Sequence, residues 1–361
     1  MKQPSRIPSK ILIINIFGIG DVIFTTPLIS NIKRFSPDTS IHYLCNKRSQ
    51  AVLQNNSHID KIFIYERDDF YADYKISVWR FLKKLRVFLS ELRQEGYGCV
   101  IDLSLNGSIS FLTQYLGIKK RVGLNYRNRS RFLTDSINIQ GFERKHVVEY
   151  YLKVLELIGI DLKEKTLEFP FANEDKQFST DFWHQNDLNS FKRVIGIVPG
   201  GGASWGKDAS YKRWDSQKYA QIADKLIEKY STAIILFGDS SEQDVCQEVA
   251  HLMNQKAILA CGKTTIAQFA ALSKSCSLMI LNDGGPLHIA VACGTQTVSI
   301  FGPVDPNVYG PYPKGNHLVV THDVGCRPCY HQFRRSACEH ISCLKQISVE
   351  DVYKKIQKIL D

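Results

Sequence analysis

Short apolar runs alternate with longer amphipathic stretches along almost the whole chain. Ile11 to Phe17 is a nearly continuous apolar and β-branched run, and Val22, Thr26, Leu28, Ile29 and Ile32 follow at helical spacing. Further strand-like runs fall at Ile41 to Cys45, Lys61 to Tyr65, Cys99 to Leu103 and Arg121 to Leu124, with the longest helical pattern at Ser77 to Leu92. A second series comprises Val194 to Val198, Ala233 to Phe237, Ala257 to Ala260, Ser277 to Leu281 and Thr297 to Phe301. Strands this uniformly apolar are buried on both faces, so the alternation predicts parallel sheets covered by helices. Between the two series, 172–190 is rich in Asn, Asp, Gln and Ser and reads as a linker. Residues 1–171 and 191–346 are then two Rossmann-like domains. Ser348 to Leu360 reads as a final amphipathic helix with Ser348 as N-cap and Asp351 in its first turn.

Two strand-to-helix turns carry candidate chemistry. Asn282-Asp283-Gly284-Gly285-Pro286-Leu287-His288 follows one buried run and opens an apolar helix. Its glycines let backbone approach a ligand, Pro286 suits a first helical turn, and the amides of Gly284, Gly285 and Leu287 are donors for an anion. Gly18-Ile19-Gly20-Asp21 follows the first strand. It fails as a dinucleotide fingerprint, because Ile23 stands where the third glycine belongs and no acidic residue closes the second strand. What remains is Asp21, either a helix N-cap or a general base directed into a cleft.

Three segments together resemble glycosyltransferase family 9, the family of bacterial lipopolysaccharide heptosyltransferases. They are Ile11 to Pro27, Pro199 to Trp205 with Lys212-Arg213-Trp214, and Asn282 to His288 with Phe301 to Pro306. The resemblance implies a GT-B fold: two doubly wound domains facing a cleft, acceptor on the first, nucleotide sugar on the second, and the final helix, 347–361, crossing back to the first. It implies an inverting transfer of heptose from a nucleotide diphosphate donor, ADP-heptose, to a hydroxyl of a lipopolysaccharide core. Asp21 matches the family's base, Lys212 its phosphate-contacting lysine, and Asp283 with His288 its donor motif. Ser204 falls where the family often contacts phosphate, Glu242 corresponds to a ribose-holding acid with Asp239 as competitor, and Lys263 borders the base. Gly18 and Gly20, with the basic residues Lys119, Lys120, Arg121 and Arg127, are assigned to the acceptor. Transfer of another sugar to a surface glycan or protein, a nucleotide-sugar epimerase and a non-catalytic binding protein stay open as alternatives. An epimerase would need more acids and histidines at the sugar than these motifs supply. A binding protein would have no need of Asp21 and Lys212.

Composition narrows the partners. The 361 residues are 44% hydrophobic and 23% charged, the make-up of a soluble globular protein. No apolar run approaches the roughly 20 residues that span a bilayer. The apolar run after the basic start Met1 to Lys10 meets Gly18, Gly20 and Asp21 with no small-residue cleavage pattern and reads as strand and turn, so the chain is expected in the cytoplasm. A net charge of +10 favours anionic partners. Nucleic acid, an acidic membrane surface and a phosphorylated glycolipid all qualify on charge. No nucleic-acid module is in view, and it is the family resemblance that implies an anionic glycolipid at the inner face of the cytoplasmic membrane. In the tail, Cys326, Cys329, Cys338 and Cys343 are interleaved with His331 and His340. They read first as reduced loop cysteines, with a structural zinc as the alternative. No cofactor is required, because amides and Lys212 take the place of a metal at the diphosphate.

Overall fold

The computed structural model describes residues 7–129, 131–202 and 205–361. The chain forms two compact units, one running to Gly141 and resuming at Val147–Lys165, the other made of Phe142–His146 and Thr166–Asp361. Each is built on a six-stranded parallel sheet.

In the first unit the strands are β1 Lys10–Ile14, β2 Ser40–Cys45, β3 Lys61–Ile64, β4 Cys99–Asp102, β5 Lys120–Tyr126 and β6 Asp135–Ile139, in the order β3-β2-β1-β4-β5-β6. The second holds β7 Val194–Val198, β8 Ala233–Leu236, β9 Ile258–Leu259, β10 Leu278–Asn282, β11 Thr297–Ile300 and β12 Leu318–Val320, in the order β12-β11-β10-β7-β8-β9. Order reverses beside β1 in one sheet and beside β7 in the other. Such switch points open a crevice at the carboxyl ends of the flanking strands, which are β1 and β4 in the first unit and β7 and β10 in the second. Ile11 to Ile14 and Leu278 to Leu281 are almost wholly buried, consistent with helices covering both faces.

Three expectations are corrected. Residues 172–190 are not a linker: Asn173–Gln185 is a helix, and Ser179 Oγ lies 3.2 Å from Ser275 Oγ on the helix Ile266–Ser275. Its polar residues mask an apolar spacing carried by Phe178 and Phe182, whose rings stand 6.3 Å apart. Phe142–His146 belongs to the second unit, anchored by His146 Nε2 against Gly310 O at 3.0 Å, so no single boundary divides the chain. The final helix, Val349–Leu360, has the expected cap, with Asp351 N donating to Ser348 Oγ at 3.1 Å. Its apolar face is spent in the second unit's core, however, where Val352, Tyr353, Ile356 and Leu360 pack with Trp214, Tyr219 and Ile300. Burial of that face makes the helix part of the second unit rather than a strap returning to the first.

Candidate active site

At the first unit's switch point, the turn after β1 is held from beneath. Buried Asn15 accepts from Phe17 N at 3.1 Å and donates to the backbone carbonyl of Asp21 at 3.2 Å. Asn46 Nδ2 donates to the carbonyls of Ile16 and Phe17 at 3.0 and 2.7 Å, and Ser49 Oγ donates to the latter at 3.0 Å. Gly18 is the N-cap of the helix Ile19–Ile23, and Asp21 is the third residue inside it. The N-cap reading of Asp21 therefore fails. Its half-buried carboxylate turns back over the helix start, near enough that a Cβ on Gly18 would lie 3.8 Å from Oδ2. That position suits an anion at a helix N-terminus. Gly20 lies within the same first turn.

A second carboxylate shares this edge and was missed in the sequence. Asp102 ends β4, beside Ile14 of β1, and is 2% exposed. It accepts from Ser104 N and Oγ at 2.9 and 2.6 Å and from Ser110 Oγ at 2.7 Å. Burial raises its pKa above the usual range against the lowering effect of those donors. An acidic residue closing the apolar run Cys99-Val100-Ile101 was the available signal.

The acceptor cluster does not hold together. Lys120 and Arg121 start β5, in register with Cys99 and Val100, so with Lys119 they lie at the amino end of a parallel sheet whose site is at the carboxyl end. Lys120 pairs with Asp135 at 2.8 Å. Arg121 gives Nε to the carbonyl of Phe132 at 2.7 Å and another donor to that of Ile118. These three residues are withdrawn from the acceptor set. Arg127 follows β5 at the correct end, with its guanidinium 5.0 Å from the centre of the Tyr126 ring.

In the second unit, the loops after β7 and β10 meet at the switch point. Gly201 and Gly202 both have φ of +84°, a conformation that favours glycine, and a Cβ on Gly284 would come within 1.8 Å of the carbonyl oxygen of Gly201. Asn282 fastens the pair: its Nδ2 donates to Pro199 O at 2.7 Å and its Oδ1 accepts from Trp214 N at 3.0 Å. It is fully buried, a polar residue closing an apolar strand.

Charge is concentrated on this platform. Lys212 Nζ lies 2.7 Å from Asp283 Oδ2, with side-chain exposures of 11% and 5%, and 4.4 Å from the centre of the Trp205 ring. An ammonium has three donors, so pairing with Asp283 leaves donor capacity for a second anion. Glu242 is 2% exposed; its Oε1 accepts from Gly202 N at 2.8 Å and its Oε2 from Asp239 N at 3.1 Å. Burial raises its pKa despite those donors. Glu242 thus braces the glycine loop, while Asp239 is exposed and accepts from Ser241 N and Oγ at 2.8 and 2.6 Å. His288, within the helix Gly285–Ala292, is buried, and desolvation, with His146 and Lys212 nearby, depresses its pKa to about 3. It is a neutral imidazole at physiological pH.

One expected donor is lost. The amide of Leu287 donates to Gly284 O at 3.2 Å, so the anion-facing set reduces to Gly284 and Gly285. Lys263 is exposed beyond β9, where Gly262 N bonds Gly238 O at 3.0 Å and ties that loop to the one after β8. Ser204 lies outside the described residues.

The tail cysteines border a common cavity with Tyr211, Arg327 and His340. All four are free thiols, and burial raises the pKa of Cys329 and Cys343. Among the described residues no three of His, Cys, Asp or Glu stand as a group that could hold a metal ion.

The chain has relatives among known proteins. Residues 85–340 match the model of glycosyltransferase family 9 (heptosyltransferase). Lipooligosaccharide heptosyltransferase 2 of Campylobacter jejuni is 31% identical for serotype O:6, over 60% of this chain and 65% of that one. For serotype O:2 it is 28% identical over 95% of each. A family 9 glycosyl transferase from Veillonella parvula superposes with a TM-score of 0.84 at 24% identity, covering 99% of both chains. The E. coli ADP-heptose lps heptosyltransferase II gives 0.74 at 20%, covering 97% of this chain and 98% of that one.

Proposed function

The chain belongs to glycosyltransferase family 9, and from that premise we propose that it transfers heptose from ADP-heptose to a hydroxyl of a lipopolysaccharide or lipooligosaccharide core, with inversion and without a metal. The observation that carries this reading is the paired glycine platform at the β7 and β10 ends, with Lys212 held on Asp283 at its rim. Names of the related proteins support the sugar and the acceptor class.

Chemistry assigns the parts. The acceptor hydroxyl oxygen forms a bond to the anomeric carbon as the bond from that carbon to the diphosphate breaks. Asp21 takes the hydroxyl proton, for which a carboxylate at a helix start beside the β1 switch point is suited. The electron pair leaves with the diphosphate, whose charge the amides of Gly284 and Gly285 and the ammonium of Lys212 stabilise. Neutral His288, in the helix that starts at Gly285, adds no charge here. Among the described residues no helix is long and apolar enough to cross a membrane. An anionic glycolipid acceptor would be met at the membrane's cytoplasmic face.

Asp21→Asn tests the assignment. With ADP-heptose and a heptose-deficient core acceptor, turnover should fall by about two orders of magnitude or more while ADP affinity by calorimetry stays near wild type. Wild-type turnover in the variant would remove Asp21 from the chemistry. No heptosylated product from the wild-type protein, with another nucleotide sugar accepted instead, would overturn the donor.

A further inference from the structure

The helices Arg67–Ile76 and Val78–Gln94 form a hairpin on the first unit whose two faces differ sharply. Its inner face is built: Phe70 packs on Tyr65, Phe81 and Phe88 at ring distances of 5.1 to 6.3 Å, and Leu92 joins the β1 and β4 core. Asp73 clamps the two helices together through Arg80 and Lys84, at 2.5 and 2.8 Å. The outer face is left to solvent although it is apolar. Trp79 is 81% exposed, Ile76 68% and Tyr71 57%, and Tyr74, Val78, Leu82 and Val87 are exposed with them.

Spacing makes this a surface. Trp79, Leu82, Lys83, Arg86 and Val87 recur at three- and four-residue intervals, so apolar and cationic side chains share one stripe of the second helix. No acidic residue occurs from Tyr74 to Ser90, whereas Lys75, Arg80, Lys83, Lys84 and Arg86 do. Exposed apolar residues normally occur singly, and a contiguous run of them marks an interaction site. The mixture of Trp and Tyr with Lys and Arg suits a boundary that is apolar below and anionic above. Aromatic rings lie at the headgroup level, and cations meet lipid phosphates.

We propose that this hairpin docks the enzyme on an anionic lipid bilayer, with Trp79, Ile76 and Leu82 entering the headgroup boundary and Lys83 and Arg86 contacting lipid phosphate. Charge complementarity favours the bilayer as occupant over a second copy of this chain, which would bring one basic hairpin against another. The proposal rests on the reading that the acceptor is a membrane glycolipid, and it adds where the membrane is met.

Co-sedimentation of the full chain with phosphatidylglycerol–phosphatidylethanolamine vesicles, against phosphatidylcholine vesicles, tests it. Binding is expected to the anionic vesicles and to weaken with salt. The pairs Trp79→Ser with Leu82→Ser and Lys83→Glu with Arg86→Glu should each lower partitioning by about tenfold or more. All are exposed positions, and transfer to a delipidated, water-soluble core acceptor should be unchanged in both pairs. Brominated lipid should quench wild-type tryptophan fluorescence, and Trp79→Phe should remove most of that quenching. No vesicle binding by the wild type, equal binding by the variants, or a dimer that Trp79→Ser dissociates would overturn the docking surface. Failure of heptose transfer to the soluble acceptor would instead overturn the functional reading and leave the vesicle result standing by itself.

Discussion

Removing the Lys212 side chain should have two separable consequences. Lys212 and Asp283 are an almost buried ion pair, with side-chain exposures of 11% and 5% at 2.7 Å. Lys212→Ala leaves the Asp283 carboxylate desolvated without its counter-charge, a loss of roughly 3–5 kcal/mol for pairs of this kind. In a unit of this size each kcal/mol moves the melting temperature by about 2–4 °C, so the second unit's transition should drop by about 10 °C. ADP affinity should also fall. A charge-assisted contact to phosphate is worth roughly 1.5–3 kcal/mol, which is about tenfold to a hundredfold in Kd. The double variant Lys212→Met with Asp283→Asn distinguishes the two effects: neutralising both partners should restore most of the stability, because no charge stays buried, but none of the ADP affinity. Differential scanning calorimetry and isothermal titration with ADP read the two quantities on the same samples. A single variant that melts like wild type, or a double variant no more stable than the single, would refute the buried-pair argument. Unchanged ADP affinity in Lys212→Ala would leave the pair standing and remove Lys212 from the phosphate site.

Gly284→Ala should destabilise the second unit by about 2–3 kcal/mol and weaken ADP binding, because the new Cβ meets a backbone carbonyl that cannot rotate away; wild-type melting and affinity together would contradict the close approach. His288 has a folded pKa near 3 against an ordinary 6.5, so its stabilisation is complete above the unfolded value and is lost as pH falls from 6.5 toward 3. Between pH 7 and pH 5 the wild type should therefore lose about 2 kcal/mol that His288→Gln does not, and parallel stability profiles for the two proteins would show that the imidazole titrates alike in the folded and unfolded chain, contrary to a depressed pKa. Initial transfer rates should survive EDTA, since amides and Lys212 serve the diphosphate; recovery of rate only on adding magnesium would overturn that scheme.

Strands at the centre of each sheet were legible because burial on both faces leaves an uninterrupted apolar run, as at Ile11 to Ile14 and Leu278 to Leu281. β6 was not, for the opposite reason: Asp135-Ser136-Ile137-Asn138-Ile139 buries only its last residue and leaves no apolar run. The helix Asn173–Gln185 escaped notice because its composition reports the exposed face and its packing rests on few positions.

For the site, the sequence by itself determined the two glycine turns, the carboxylate in each and the lysine between them. Those are local demands of backbone geometry and charge, and residue type answers to them directly. Which residues share an end of a sheet was decided only by the tertiary structure. Lys119 to Arg121 have the charge for an anionic acceptor, but strand direction sends them to the opposite end of β5 from Arg127. Asn282, Glu242 and Asp102 are each the buried anchor of a loop, a role that depends on partners brought to them by the fold. Pairing, burial and the end of the sheet a residue occupies are relations among segments distant in sequence, and strand order sets them.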